Sequence, residues 1–239
     1  MEKCFVACIN SRLPDLFKSV SRLYAFPAKP DTKTVNEFVI LDSGAFSLSL
    51  KGKEIDISYM RRLHGYYRKY GAGNSFPVLG IAPDKFPDPD RTMQNYLTWM
   101  RLFKLPVVPV IQFSRMKHID VFLGRKQGLF YREFGNRIIA ISNPGLRAKD
   151  AQSLKILIDQ LRKMDYTWIH CLGAGWNYND CADWGKLGFD SIDSISYYSD
   201  AEKGIAWRPL SYQTGQSTLE YEELCKYNYN LANKAFRLY

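Results

Sequence analysis

Two aspartates lie far apart in the chain, one at the end of a short apolar run and one inside another. Asp42 follows the run Phe38 to Leu41, and Asp193 lies 151 positions later within Phe189 to Ile195. A carboxylate that ends a greasy strand has no hydrophobic partner there, and two of them facing one another can divide labour. One, ionised, attacks a sugar carbon to give a covalent glycosyl ester, while the other shuttles a proton. Polar residues also close the other apolar runs. Ser43 and Gly44 follow Asp42, Asp84 follows Pro77 to Ala82, and Gln112 follows Val107 to Ile111. Ser142 and Asn143 follow Arg137 to Ile141, and Gly173 and Gly175 follow Thr167 to Leu172. Ser43 and Gly44 are small enough to let the backbone approach a ligand, and an amide such as Gln112 both donates and accepts.

These groups meet only if the strands that carry them are parallel, with all their C-terminal ends at one face. The apolar runs each have the length of a buried strand, and stretches with helical spacing lie between them. The helical stretches are Ile57 to Tyr70, Arg91 to Phe103, Ile119 to Phe134 and Ala148 to Met164; in the last, Leu154, Leu157, Ile158 and Leu161 form one apolar stripe. Strand then helix, repeated about seven times in 239 residues, favours a (β/α)8 barrel of the triosephosphate-isomerase type over an open doubly wound sheet. The expected eighth strand is Gly204 to Leu210, with Lys29 to Asn36 and Ser199 to Gln216 as loops on the active face. One domain spans residues 1–239, closed by a helix within Thr218 to Tyr239.

Composition bounds the partners. Thirty-three Lys and Arg against 24 Asp and Glu give a net charge of +9, which favours a polyanion through counterion release. Arg61, Arg62, Arg68, Lys69, Arg115, Lys117, Arg125 and Lys126 are candidates to neutralise phosphates, or else a solvated face. Tyr197, Tyr198, Trp176, Trp207 and Tyr212 lie near the expected mouth, where bases can stack, with core packing the plainer role for any one of them. Five cysteines without a Cys-x-x-Cys pair indicate neither a disulfide framework nor a zinc module, and no metal or cofactor is expected. No run reaches the roughly 18 apolar residues of a membrane span. The expected location is the cytoplasm. His64, His118 and His170 read as core residues rather than catalysts.

The motifs together resemble the tRNA-guanine transglycosylase superfamily. Leu41 to Ser47, LDSGAFS, is similar to its Asp-Ser-Gly-Gly-Phe motif, with Ala45 in place of the second glycine. PVIQF resembles its Val-Gln-Gly strand, HCLGAG its Gly-x-Gly strand end, and GFDSIDSISYY the archaeal pattern Gly-x-Asp-x-Phe-Asp-Ser-x-Ser-Tyr. The family's zinc-binding insertion and RNA-binding domain have no counterpart. The chain therefore looks most like the compact phage and bacterial DpdA-like enzymes that put 7-deazaguanines into DNA.

The resemblance implies a DNA-guanine transglycosylase that exchanges guanine for a preQ0-like 7-deazaguanine, taking the free base as co-substrate. Asp193 would attack C1′ and Asp42 would transfer the proton. Ser43, Gly44, Asp84, Gln112, Asn143, Gly173 and Gly175 would bind the base, and Arg61, Arg62, Arg115, Lys117 and Tyr197 the nucleic acid. Asp190 is the rival nucleophile, although it cannot share a strand face with Asp193, three residues on. Asp88 and Asp90 compete with Asp84. Attack within a duplex requires a flipped or unpaired nucleotide. The alternatives are a compact tRNA-guanine transglycosylase and an inactive nucleic-acid-binding barrel. The oligomeric state is left open.

Overall fold

In the computed structural model of the protein, residues 3–8, 20–30, 38–71, 78–113, 137–142, 148–209 and 214–238 are described. Eight parallel strands make one sheet: β1 (Cys4–Cys8), β2 (Arg22–Ala25), β3 (Val39–Asp42), β4 (Val78–Gly80), β5 (Val110–Gln112), β6 (Arg137–Ser142), β7 (Tyr166–Leu172) and β8 (Ser191–Ser194). The order β4-β3-β2-β1-β8-β7-β6-β5 is the chain order read around a circle. Its two ends meet through Val108, whose N–H donates to Gly80 O (2.7 Å) and whose carbonyl accepts from Ala82 N (2.8 Å). This is the (β/α)8 barrel that the alternation of strand and helix predicts.

The helices among the described residues are α1 (Ala45–Leu50), α2 (Ile57–Gly71), α3 (Pro89–Phe103), α4 (Ala148–Lys163), α5 (Tyr178–Leu187), α6 (Ser196–Glu202) and α7 (Tyr221–Arg237). Two of the starts carry a side-chain cap that follows from the local sequence. Asp88 caps α3 by accepting from Arg91 N (2.9 Å), with Pro89 in the first turn, where its missing N–H costs nothing. Asn177 caps α5 by accepting from Asp180 N (3.0 Å). The α4 stripe of Leu154, Leu157, Ile158 and Leu161 is fully buried. The expected Ile119 to Phe134 helix lies outside the described residues. None of the described helices is long and apolar enough to cross a membrane.

The expected eighth strand is corrected. Ile205–Trp207 forms β9, antiparallel to β10 (Thr214–Gln216), in a two-stranded ribbon outside the barrel. Within the expected Ser199 to Gln216 loop, the chain thus completes α6 and builds this ribbon. The missing barrel strand is Arg22–Ala25, which pairs with both β1 and β3. It is short and opens on a charged residue, so it has no apolar run to give it away; Arg22 is nevertheless fully buried and donates to Tyr24 Oη (3.0 Å).

Candidate active site

Because all eight strands run the same way, their C-terminal residues share one face of the barrel, where side chains at strand ends are free of packing duty. Asp42 ends β3, Gln112 ends β5, Ser142 ends β6, and Asp193 is the third residue of β8. Asp84 follows β4, four residues past Gly80.

Asp42 sits at a sharp corner. Its Oδ2 accepts from Gly44 N (2.9 Å), and Gly44 turns the chain into α1 at φ 70°. A Cβ there would stand 2.4 Å from Phe26 O, so this corner takes only glycine. Ser43 is fully buried; its Oγ accepts from Ala45 N (3.3 Å) and its carbonyl from Tyr59 Oη (2.6 Å). Burial pushes the Asp42 carboxyl up to about 6, the nearby Asp193 charge adds to the rise, and the Gly44 N–H opposes it.

Asp84 is 7% exposed, and its Oδ2 accepts from Gln112 Nε2 (3.0 Å). Burial first and the Asp42 charge second push it up to about 7, against the hydrogen bonds of Gln112 and Ser43. Asp88 and Asp90 are removed from contention: the first caps α3 and the second lies exposed in its first turn.

Asp193 is 6% exposed. Its Oδ1 meets two nitrogens, Gly173 N (3.1 Å) and His170 Nε2 (3.0 Å), and its carbonyl accepts from Ala174 N (2.8 Å). Gly173, at φ 70°, opens onto empty space, whereas a Cβ on Gly175 would meet Cys181, Ile192 and Phe5 at 3.0–3.2 Å. Gly175 is thus a packing residue of this turn and Gly173 the one facing open space. Asp180 holds the turn from below, its Oδ2 accepting from Gly175 N (3.1 Å) and Trp176 N (2.8 Å).

Asp190 belongs elsewhere. It precedes β8, and its Oδ2 accepts from Arg162 Nη2 and Ile169 N, both at 2.6 Å. It ties the end of α4 to the entry of β8, at the end of the barrel opposite Asp193. The period-two alternation of a strand separates the two aspartates as the sequence implies.

Three carboxyl groups from β3, the β4 loop and β8 therefore share one electrostatic neighbourhood. The charge of Asp193 acts on Asp42, and that of Asp42 acts on Asp84. Arg61 and Arg62 are exposed on α2, the latter 5.6 Å from the ring centre of Tyr59. Tyr197 is corrected: it is fully buried, in edge contact with Phe5 and Tyr229, and has no ring face to offer a base. Trp207 is buried as well, donating from Nε1 to Asp200 (2.9 Å), while Trp176 stands 57% exposed beside the Gly173 turn. Asn143, Arg115 and Lys117 lie outside the described residues.

The residue that the sequence reading passes over is His170. It is buried, as a core histidine would be, but its partner is Asp193. The partner follows from the strand register: with His170 opposite Ser191, Ser191 and Asp193 share one face of β8 and Trp168 and His170 one face of β7. No protein-family model matches the chain and no curated protein is significantly similar to it, which leaves the site's own geometry to carry the functional reading.

Proposed function

We propose that the protein is a base-exchange glycosyltransferase that replaces guanine in DNA with a 7-deazaguanine through a glycosyl ester on Asp193. The observation that carries this reading is the unequal treatment of two carboxyls at one mouth. Asp193 is gripped by two nitrogens on a single oxygen, whereas Asp42 is held up to about 6, close to where an acid that must also act as a base works best. In the first half-reaction an Asp193 oxygen bonds to C1′ as the C1′–N9 bond breaks. The electron pair leaves with guanine, which takes the Asp42 proton. In the second, the Asp42 carboxylate removes the N9 proton of the incoming base, N9 attacks C1′, and the ester bond returns its pair to Asp193. Atoms and charge balance with no redox step.

Asp84 and Gln112 supply the edge-reading pair, since a carboxylate accepts the N–H groups of a guanine-like ring while an amide both donates and accepts. The Gly173 turn, open to solvent, leaves room for the substituent of a deazapurine. The +9 charge and the exposed Arg61 and Arg62 suit a phosphate backbone. Attack at C1′ calls for a nucleotide out of the stack.

The test is nucleoside mass spectrometry of total DNA and tRNA from cells expressing the chain with a 7-deazaguanine supply. Modified base in DNA that is lost in Asp193→Ala supports the reading. Modified base confined to tRNA would assign the alternative substrate, and modification of neither pool would overturn base exchange.

A further inference from the structure

We propose that His170 is the positioning residue for Asp193: a one-way relay from Trp168 through Ser191 sets the imidazole with its proton on Nε2, so that it holds the carboxylate for attack on the sugar carbon. The inference rests on the reading of Asp193 as nucleophile.

The relay has a direction because its first member has no choice. Trp168 Nε1 can only donate, and it donates to Ser191 Oγ (2.9 Å). Ser191 Oγ lies 2.8 Å from His170 Nδ1, and His170 Nε2 lies 3.0 Å from Asp193 Oδ1. With the ring proton on Nε2, every contact has one donor and one acceptor: indole N–H to serine oxygen, serine O–H to Nδ1, and Nε2–H to the carboxylate. With the proton on Nδ1 instead, a nitrogen lone pair would face the carboxylate oxygen at 3.0 Å. All four side chains are buried, so water is a poor substitute for any link.

The four arise from one register. His170 pairs with Ser191 across β7 and β8, and side chains two apart on a strand point the same way. Trp168 and His170 thus interleave with Ser191 and Asp193 as a zigzag climbing towards the mouth. At its top Gly173 N adds a second donor to the same Oδ1 (3.1 Å). Two donors on one oxygen stop the carboxylate from turning. They also favour that oxygen as the carbonyl oxygen of the ester, so the bond to C1′ forms at Oδ2. When the incoming base breaks that bond, the electron pair returns to a carboxylate already provided with donors. His170 moves no proton and touches no substrate.

Two substitutions separate positioning from packing. Gln at position 170 carries its amide nitrogen near where Nε2 stands, and Asn carries its nitrogen near Nδ1. His170→Gln is expected to keep ester formation within about tenfold of the wild type, and His170→Asn to lose about 100-fold, the scale of a lost donor at a reacting group. The readout is the single-turnover rate of covalent adduct on a guanine-containing oligonucleotide, with melting temperature measured in parallel. The tautomer is read without any chemistry, from the ring-nitrogen shifts in long-range proton–nitrogen spectra. The chain has three histidines, and His170 is assigned by the signals lost in His170→Gln. A proton on Nδ1 overturns the relay. Equal losses in Gln and Asn that track melting temperature, or a wild-type rate in Asn, overturn the positioning role. A wild-type protein that forms no adduct while its tautomer is as expected overturns base exchange and leaves the relay standing.

Discussion

Asp84→Asn tests the electrostatics of the mouth without reference to any substrate. The carboxyl rises from 3.8 to about 7, chiefly through burial. At about 1.4 kcal/mol for each pKa unit, its ionisation costs the folded state about 4 kcal/mol. The folded protein binds this proton more tightly than the unfolded chain does. The favourable contribution is therefore complete below pH 3.8 and is lost as pH rises to about 7. Asparagine has the same shape, keeps an oxygen for Gln112 and carries no charge. Part of the cost comes from Asp42, which itself protonates near pH 6, so the two carboxyls share it. The expected result is a variant that gains about 3 kcal/mol on the wild type between pH 4 and pH 8. Urea unfolding followed by circular dichroism at four pH values in that span measures it, since the midpoint and slope give each free energy. The quantity that matters is the change in the difference with pH, because any packing effect of the substitution is the same throughout. Parallel curves, or a wild type that gains on the variant as pH rises, would refute the account of Asp84 as a carboxylate held at a cost.

Under the proposed base exchange, the same rise would set how the free base binds. Because Asp84 must be ionised to accept its N–H groups, affinity for a 7-deazaguanine by calorimetry should weaken by about tenfold for each pH unit below about 7, and a flat profile would count against Asp84 as the reader. Guanine release, which needs protonated Asp42, should decline above pH 6 in a single-turnover assay; a rate that climbs through that range would reverse the assigned role. Asp190→Ala should cost ~2 kcal/mol in unfolding free energy, through the orphaned Ile169 N–H, yet still form the covalent adduct that the proposed function requires and that Asp193→Ala should abolish. Gly44→Ala should lose at least ~2 kcal/mol, because left-handed strain adds to a 2.4 Å clash with Phe26 O, whereas Gly52→Ala, at φ 63° with nothing within 4 Å, should lose only ~1 kcal/mol.

The strands that end on Asp42 and Gln112 and the one that carries Asp193 were legible because buried parallel strands are written as apolar runs, and a polar residue at or near the end of one stands out. Asp193 was preferred to Asp190 through the resemblance of GFDSIDSISYY to the longer motif, alternation showing only that the two cannot share a strand face. Arg22–Ala25 was illegible for the opposite reason: a buried arginine satisfied by a tyrosine two residues on looks like surface in a sequence. The β9–β10 ribbon is too short and polar to distinguish from loop, and Ile205–Trp207 was mistaken for barrel. His170 and Tyr197 failed in opposite directions. Burial of His170 was anticipated but its partner was not, because the partner depends on the register between β7 and β8. Tyr197 was named as a nucleic-acid contact near the mouth, with core packing the plainer role for any one aromatic, and α6 turns it inward onto Phe5 and Tyr229.

The grip of α7 on β1 bears on how the molecule is made. Phe5 N donates to Asn233 Oδ1 across 228 residues of sequence, and Tyr229 Oη donates to Phe5 O across 224. At roughly 5–20 residues per second, β1 leaves the ribosome roughly ten to fifty seconds before the helix that binds its backbone exists. Through that interval a greasy strand flanked by half a barrel has no proper neighbour on one side. Completion of the ring thus waits for α7 to be made, and holding that early strand apart from other chains is the task that a chaperone would meet.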